Sequence, residues 1–118
     1  MARDAWIVRL GEDAEHDLAS ISAWTAERFG ARQAELYADA ISRAIGEIAA
    51  HPLGGRSKAR DQDIGAGYRT LHVAKTGRRA RHLCLYRCDE KNGLIMIVRI
   101  LHDSMDLSIH LPPPDVAS

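Results

Sequence analysis

Apolar and polar residues follow two rhythms along this chain, a helical one up to about residue 50 and a strand-like one beyond residue 67. Ala5–Leu10 (Ala-Trp-Ile-Val-Arg-Leu) has the β-branched and aromatic content of a short strand. Ala14, Leu18, Ile21, Thr25 and Phe29 then recur on one face of a helix. Gly11 stands at its N-cap, Glu12, Asp13 and Glu15 suit its first turn, and Gly30 is placed to end it. Ala34, Tyr37, Ala38, Ile41, Ile45 and Ile48 form the stripe of a second helix, closed by His51-Pro52. A single glycine between the two makes an antiparallel hairpin. Gly46 inside the second helix costs about 1 kcal/mol relative to alanine, tolerable if the two helices approach closely there.

Residues 53–67 are rich in glycine and polar side chains and read as a loop. A loop of that length is mobile or functional. Three strands follow, Tyr68–Ala74, Arg79–Cys88 and Leu94–Leu101, with turns at Lys75-Thr76-Gly77-Arg78 and Asn92-Gly93. After Met105 a short helical or extended segment reaches Leu111, and Pro112-Pro113-Pro114 ends the ordered part. The order β-α-α-β-β-β predicts an α+β two-layer domain, a helical hairpin packed on a mostly antiparallel sheet. The whole chain is one domain, with an ordered core over about residues 5–111 and a flexible tail at 112–118.

Strict alternation in the last strand puts Leu94, Met96, Val98 and Ile100 on one face and Ile95, Ile97, Arg99 and Leu101 on the other. Both faces are apolar, so both are expected to be covered. Arg99 is then a charge inside an apolar strand and must find a carboxylate. Asp106 and Asp103 are the expected partners, because the chain turns just beyond Leu101 into His102-Asp103-Ser104-Met105-Asp106.

Net charge is zero, but it is segregated. Residues 1–50 carry five basic and nine acidic side chains, residues 51–87 nine and two, residues 88–118 two and five. The basic middle points to an anionic partner, with plain solvation of exposed strands the alternative. Cys84 and Cys88 lie roughly 13 Å apart at strand rise, too far for a disulfide, and read as small packing thiols. No apolar run approaches the roughly 20 residues of a membrane span, and Met1–Val8 lacks the apolar core of a secretory signal. A cytoplasmic protein that does not engage membranes is expected.

Motifs for phosphate loops, nucleophile elbows and zinc proteases are absent from the sequence, and no metal or cofactor is expected. Among six histidines His102 has the best claim to acid–base work, at a strand end beside Asp103 and Asp106. The basic stretch from Lys75 to His82 would be exposed at a turn and available to phosphates or an acidic protein. RNA binding favours aromatics among the cations, and this stretch holds none; Tyr68 and Tyr86 are expected in packing positions.

The order of elements and several residue blocks resemble the ParE toxins of the RelE/ParE superfamily, from type II toxin–antitoxin systems. The blocks are Tyr68-Arg69, Leu83-Cys84-Leu85-Tyr86-Arg87 and Ile97–Asp106, with Leu107-Ser108-Ile109-His110-Leu111-Pro112 similar to the family's usual ending. The likeness spans about residues 5–112 and is most specific at Arg99-x-Leu101-His102-x-x-x-Asp106. It implies a toxin that inhibits DNA gyrase by binding, with no catalytic residue of its own. It also implies a hetero-oligomeric complex with a ParD-like antitoxin, which has a ribbon-helix-helix DNA-binding domain and a tail that wraps the toxin. With the basic segment, it puts forward Arg69, Arg78, Arg79, Arg81, Arg87, Arg99, His102 and Asp106 for contact with antitoxin or target.

RelE members of the superfamily instead cut mRNA on the ribosome. This chain has acidic and neutral residues after its last strand where RelE nucleases carry cations, no tyrosine after Tyr86, and no net positive charge. Those departures favour the gyrase branch. His102 and His110, with Arg78, Arg79 and Arg81 on phosphates, carry the ribonuclease alternative. A member that only binds its antitoxin is the third reading.

Overall fold

The computed structural model describes residues 6–76 and 79–105. The elements are β1 (Ile7–Leu10), α1 (Glu12–Phe29), α2 (Ala31–Ala50), β2 (Lys58–Ala59), β3 (Tyr68–His72), β4 (His82–Asp89) and β5 (Leu94–His102). A 3-10 turn at Val73–Thr76 follows β3. The sheet runs β1-β5-β4-β3-β2, antiparallel throughout except where β1 lies parallel to β5. The two helices pack on one face, as the sequence pattern predicts.

Gly11 joins strand to helix: its N–H donates to the Ile97 carbonyl at 2.9 Å while its own carbonyl accepts from Glu15 at 3.0 Å. The helices are separated by Gly30 alone, at φ 94°, a conformation that side chains with a Cβ rarely adopt. Alanines at 14, 40 and 44, all fully buried, let the helices sit close to the sheet. Against them pack Ile41 and Ile48 of α2, Leu71 and Val73, Cys84 and Tyr86 of β4, and Ile95, Ile97 and Ile100 of β5. Each large aliphatic group removed from water there contributes about 1.5–3 kcal/mol. The buried Tyr86 hydroxyl donates to the Pro52 carbonyl at 2.7 Å, tying the loop after α2 to the core.

Several expectations are corrected. The 53–67 segment is anchored: it contains β2, paired with β3, and Arg56 donates to both carboxylate oxygens of Glu47 and to the Lys75 carbonyl. Gly46 is exposed and a Cβ there would meet nothing within 4 Å, so it marks no close helix crossing. Phe29 ends the α1 stripe but is 63% exposed. Strand β3 stops at His72 and β4 starts only at His82.

The largest correction lies in β5. Leu85 pairs with Arg99, but Tyr86 pairs with Ile97, so Val98 is an extra residue in the ladder. Such a bulge reverses the in–out parity beyond it. Ile95, Ile97 and Ile100 therefore all join the helix-facing core, where strict alternation had placed Ile100 on the other face. Leu83, Leu85 and Leu101 are buried too, outside that cluster. The expected flexible tail at 112–118 lies outside the described residues, as does the expected helical or extended segment that follows Met105 as far as Leu111.

Candidate functional site

The bulge also decides where Arg99 goes. Strand β1 accompanies β5 only as far as Ile97, so β5 outruns its parallel neighbour. Asp17 of α1 takes over. Arg99 donates through Nε (2.7 Å) and Nη2 (2.8 Å) to the two carboxylate oxygens, and the Ile100 backbone N–H donates to Oδ2 at 2.9 Å. The hydrogen bonds to Asp17 push the Arg99 pKa further up. The expected partners were Asp103 and Asp106; Asp103 is engaged elsewhere and Asp106 lies outside the described residues.

Asp103 joins three segments. It accepts from His72 Nε2 at 2.9 Å and from Arg81 Nη2 at 3.1 Å, and its N–H donates to the Arg81 carbonyl at 2.8 Å. The hydrogen bonds from His72 and then Arg81 hold its carboxyl down at about 2. This node fixes the start of β4 against the end of β5 and sets the position of both Arg81 and His102.

Beside the node opens a groove of about 1040 Å³, between the hairpin end of the helices and the entry to β4. Trp24 and Phe29 of α1 and Tyr37 of α2 supply aromatic surface, while Arg43, Arg79 and Arg81 supply charge. His82 and His102 stand edge to face in its wall, ring centroids 5.4 Å apart. The Tyr37 hydroxyl accepts from the Arg81 N–H (3.2 Å) and lies 2.7 Å from His82 Nδ1, within hydrogen-bonding distance. His102 Nδ1 accepts from the Ser104 N–H at 3.1 Å. With Nδ1 accepting, the neutral His102 ring carries its proton on Nε2. Burial, then the neighbouring His102, lowers the His82 pKa.

The residues put forward from the sequence divide three ways. Arg79, Arg81 and His102 meet in the groove. Arg69 instead braces the loop, donating from Nε to the Ser57 hydroxyl at 3.0 Å, and Arg87 stacks over Tyr68 at 5.5 Å; the groove lining includes neither. Arg99 is held in its bidentate pair with Asp17, and the groove lining does not include it. Arg78, Asp106 and His110 lie outside the described residues. Trp24, Tyr37, Arg43 and Asp17 are not among the site residues the sequence puts forward, and His82 enters there only as the end of the basic stretch. Trp24 had one signal: it stands off the apolar stripe of α1, and the structure leaves it 52% exposed, in edge contact with Phe29 and with Arg28 over its ring.

Among solved structures, this fold is similar to that of the chromosomal ParDE toxin–antitoxin system of P. aeruginosa. The TM-score is 0.66 at 20% identity, covering 83% of this chain and 96% of that one. It is also similar to the toxin–antitoxin complex RelBE2 of Mycobacterium tuberculosis, with a TM-score of 0.57 at 22% identity, covering 83% and 98%. These likenesses define the class of fold, a small α+β domain with a helical hairpin on a mostly antiparallel sheet.

Sequence comparison narrows it. A family described as the ParE toxin of the type II toxin–antitoxin system parDE matches residues 8–107. Toxin ParE1 of Caulobacter vibrioides is 33% identical over 103 residues, covering 87% of this chain and 95% of that protein. Toxin ParE1 of Mycobacterium tuberculosis is 34% identical over 102 residues, covering 86% and 94%. The chain belongs to the ParE toxin family of type II toxin–antitoxin systems. Among the described residues no helix is long and apolar enough to cross a membrane, and no group of side chains has the make-up of a metal site.

Proposed function

We propose that this protein inhibits DNA gyrase by binding and is neutralised by a ParD-like antitoxin, with a ribbon-helix-helix domain and an acidic tail, in a hetero-oligomeric complex. The observation that carries the reading is the family match over residues 8–107, reinforced by a ParDE system among the similar structures. The surface chemistry agrees with it. Segment 51–87 holds nine basic and two acidic side chains, and complementary charge steers an acidic tail to such a surface. Purified toxin is expected to abolish supercoiling by gyrase while leaving ribosome-bound mRNA intact, with added antitoxin restoring supercoiling. Unimpaired supercoiling at saturating toxin overturns the reading.

One observation favours ribonuclease action as a second reading. The sequence offers no cation cluster after the last strand, yet the fold brings Arg43, Arg79 and Arg81 into the groove that holds His82 and His102. Two imidazoles beside cations are the groups that phosphodiester cleavage uses for proton transfer and charge stabilisation. Cleavage of mRNA in a translation extract, lost in His82→Ala/His102→Ala, selects this reading over the first.

A further inference from the structure

The groove has a lining unlike that of a site for a peptide helix. Grooves that take amphipathic helices present aliphatic surface to leucine-type anchors. Here no leucine, isoleucine, valine or methionine is among the described residues of the lining, and Ala80 is its one aliphatic side chain. The apolar surface is aromatic instead, with Trp24 and Phe29 more than half exposed. No carboxylate lines the groove among the described residues. Arg43 and Arg79 have no ion-pair partner among the described residues either. The β3–β4 connection supplies cations without aromatics, and the helical hairpin supplies the missing aromatics from more than 40 residues away in sequence, as the Tyr37–Arg81 and Tyr37–His82 contacts show.

From this juxtaposition of ring faces, arginines with no ion-pair partner among the described residues, and imidazoles, we infer that the groove binds unpaired nucleotides, a single strand of DNA or RNA. Bases stack on the Trp24 and Phe29 surfaces, phosphates meet Arg43 and Arg79, and the Nε2–H of His102 donates to base or phosphate oxygens. A duplex presents no open base faces to such a surface, so single strands are preferred. The site requires neither gyrase nor ribosome, and its test is independent of both.

The test is fluorescence anisotropy of the full-length protein with labelled single-stranded DNA, single-stranded RNA, a duplex of the same length and poly-glutamate. Either single strand is expected to bind more tightly than duplex and poly-glutamate, the better of the two identifying the source. Contact with two phosphates, through Arg43 and Arg79, gives a slope of log K against log salt of about −1.4. Trp24→Ala is expected to weaken binding roughly tenfold through lost stacking. Arg79→Gln and Arg43→Gln should each reduce the salt slope by about 0.7, whereas Arg9→Gln, on the edge strand, should leave it unchanged. Circular dichroism confirms that each variant is folded. Equal affinity for single strand, duplex and poly-glutamate, or a Trp24→Ala variant that is folded and binds normally, overturns the inference; so does tight binding of poly-glutamate alone, which would make the groove an acidic-peptide site.

Discussion

Removing the Asp17 carboxylate should be among the most damaging single changes to this fold outside its apolar core. Exposed ion pairs contribute about 0–1 kcal/mol, but this pair is mostly enclosed, with side chains 21% exposed for Arg99 and 12% for Asp17. Asp17 also accepts the Ile100 N–H, which has no β1 neighbour because the parallel ladder ends at Leu10–Ile97. Hydrogen bonds to charged groups contribute about 1.5–3 kcal/mol, and stranding a buried donor costs about 1–3 kcal/mol. Asp17→Ala breaks three such bonds at once and leaves the guanidinium without this partner, so a loss of about 3 kcal/mol is expected. Arg99→Ala leaves the carboxylate its backbone donor and should cost less, about 2 kcal/mol. Asp17→Asn retains an acceptor for Ile100 and should fall lowest of the three. Urea denaturation reads these values, and a double-mutant cycle should return a coupling of about 1–3 kcal/mol between the two sites. An Asp17→Ala loss under about 0.5 kcal/mol, or additive single mutants, would refute the idea that this carboxylate substitutes for a missing strand.

Gly46→Ala should stabilise the protein by about 0.5–1 kcal/mol, since the position is helical and a Cβ meets nothing within 4 Å; a lowered melting temperature would contradict this. Tyr86→Phe should cost about 1–1.5 kcal/mol by removing the buried hydroxyl that donates to Pro52, with an unchanged urea midpoint the contrary result. Acidification should act in two stages. The His82 pKa lies below its ordinary 6.5 when folded, so the unfolded chain binds the proton more readily and stability is lost as pH falls below about 6.5. Asp103, held at about 2 against an ordinary 3.8, adds a second loss as pH falls from about 4 through 2. Urea midpoints at pH 7.5, 5 and 3 test this, and His82→Gln should flatten the first stage only.

Local rules carried most of the architecture. The apolar period, the glycines at 11 and 30 and the His51-Pro52 break located both helices within a residue or two. Asn92-Gly93 marked the β4–β5 hairpin, where Gly93 adopts φ 65°. Failures came where a tertiary partner overrides local preference. Alternation alone contains no sign of the Val98 bulge, because the extra residue is accommodated by Asp17, 82 positions away from Arg99. Likewise β2 is two residues long and exists only because β3 pairs with it. Gly46 was given a packing reason that only a neighbouring surface could supply, and no neighbour is there.

The candidate site was half legible, and the missing half changes its chemistry. Charge segregation and the strand-end histidine found Arg79, Arg81 and His102, because density of charge and abrupt changes of polarity are visible in one dimension. Linear reading of the 75–82 segment then counted against nucleic acid, for want of aromatics among its cations. A groove is assembled from whichever elements the topology makes adjacent, and here the end of the helical hairpin lies against the entry to β4. Tyr37 fixes that adjacency by bonding to the Arg81 backbone and the His82 ring together. The cations and the aromatics therefore share one wall although the sequence keeps them apart. An affinity for open base faces follows from that wall, and it would have been invisible however closely residues 75–82 were read.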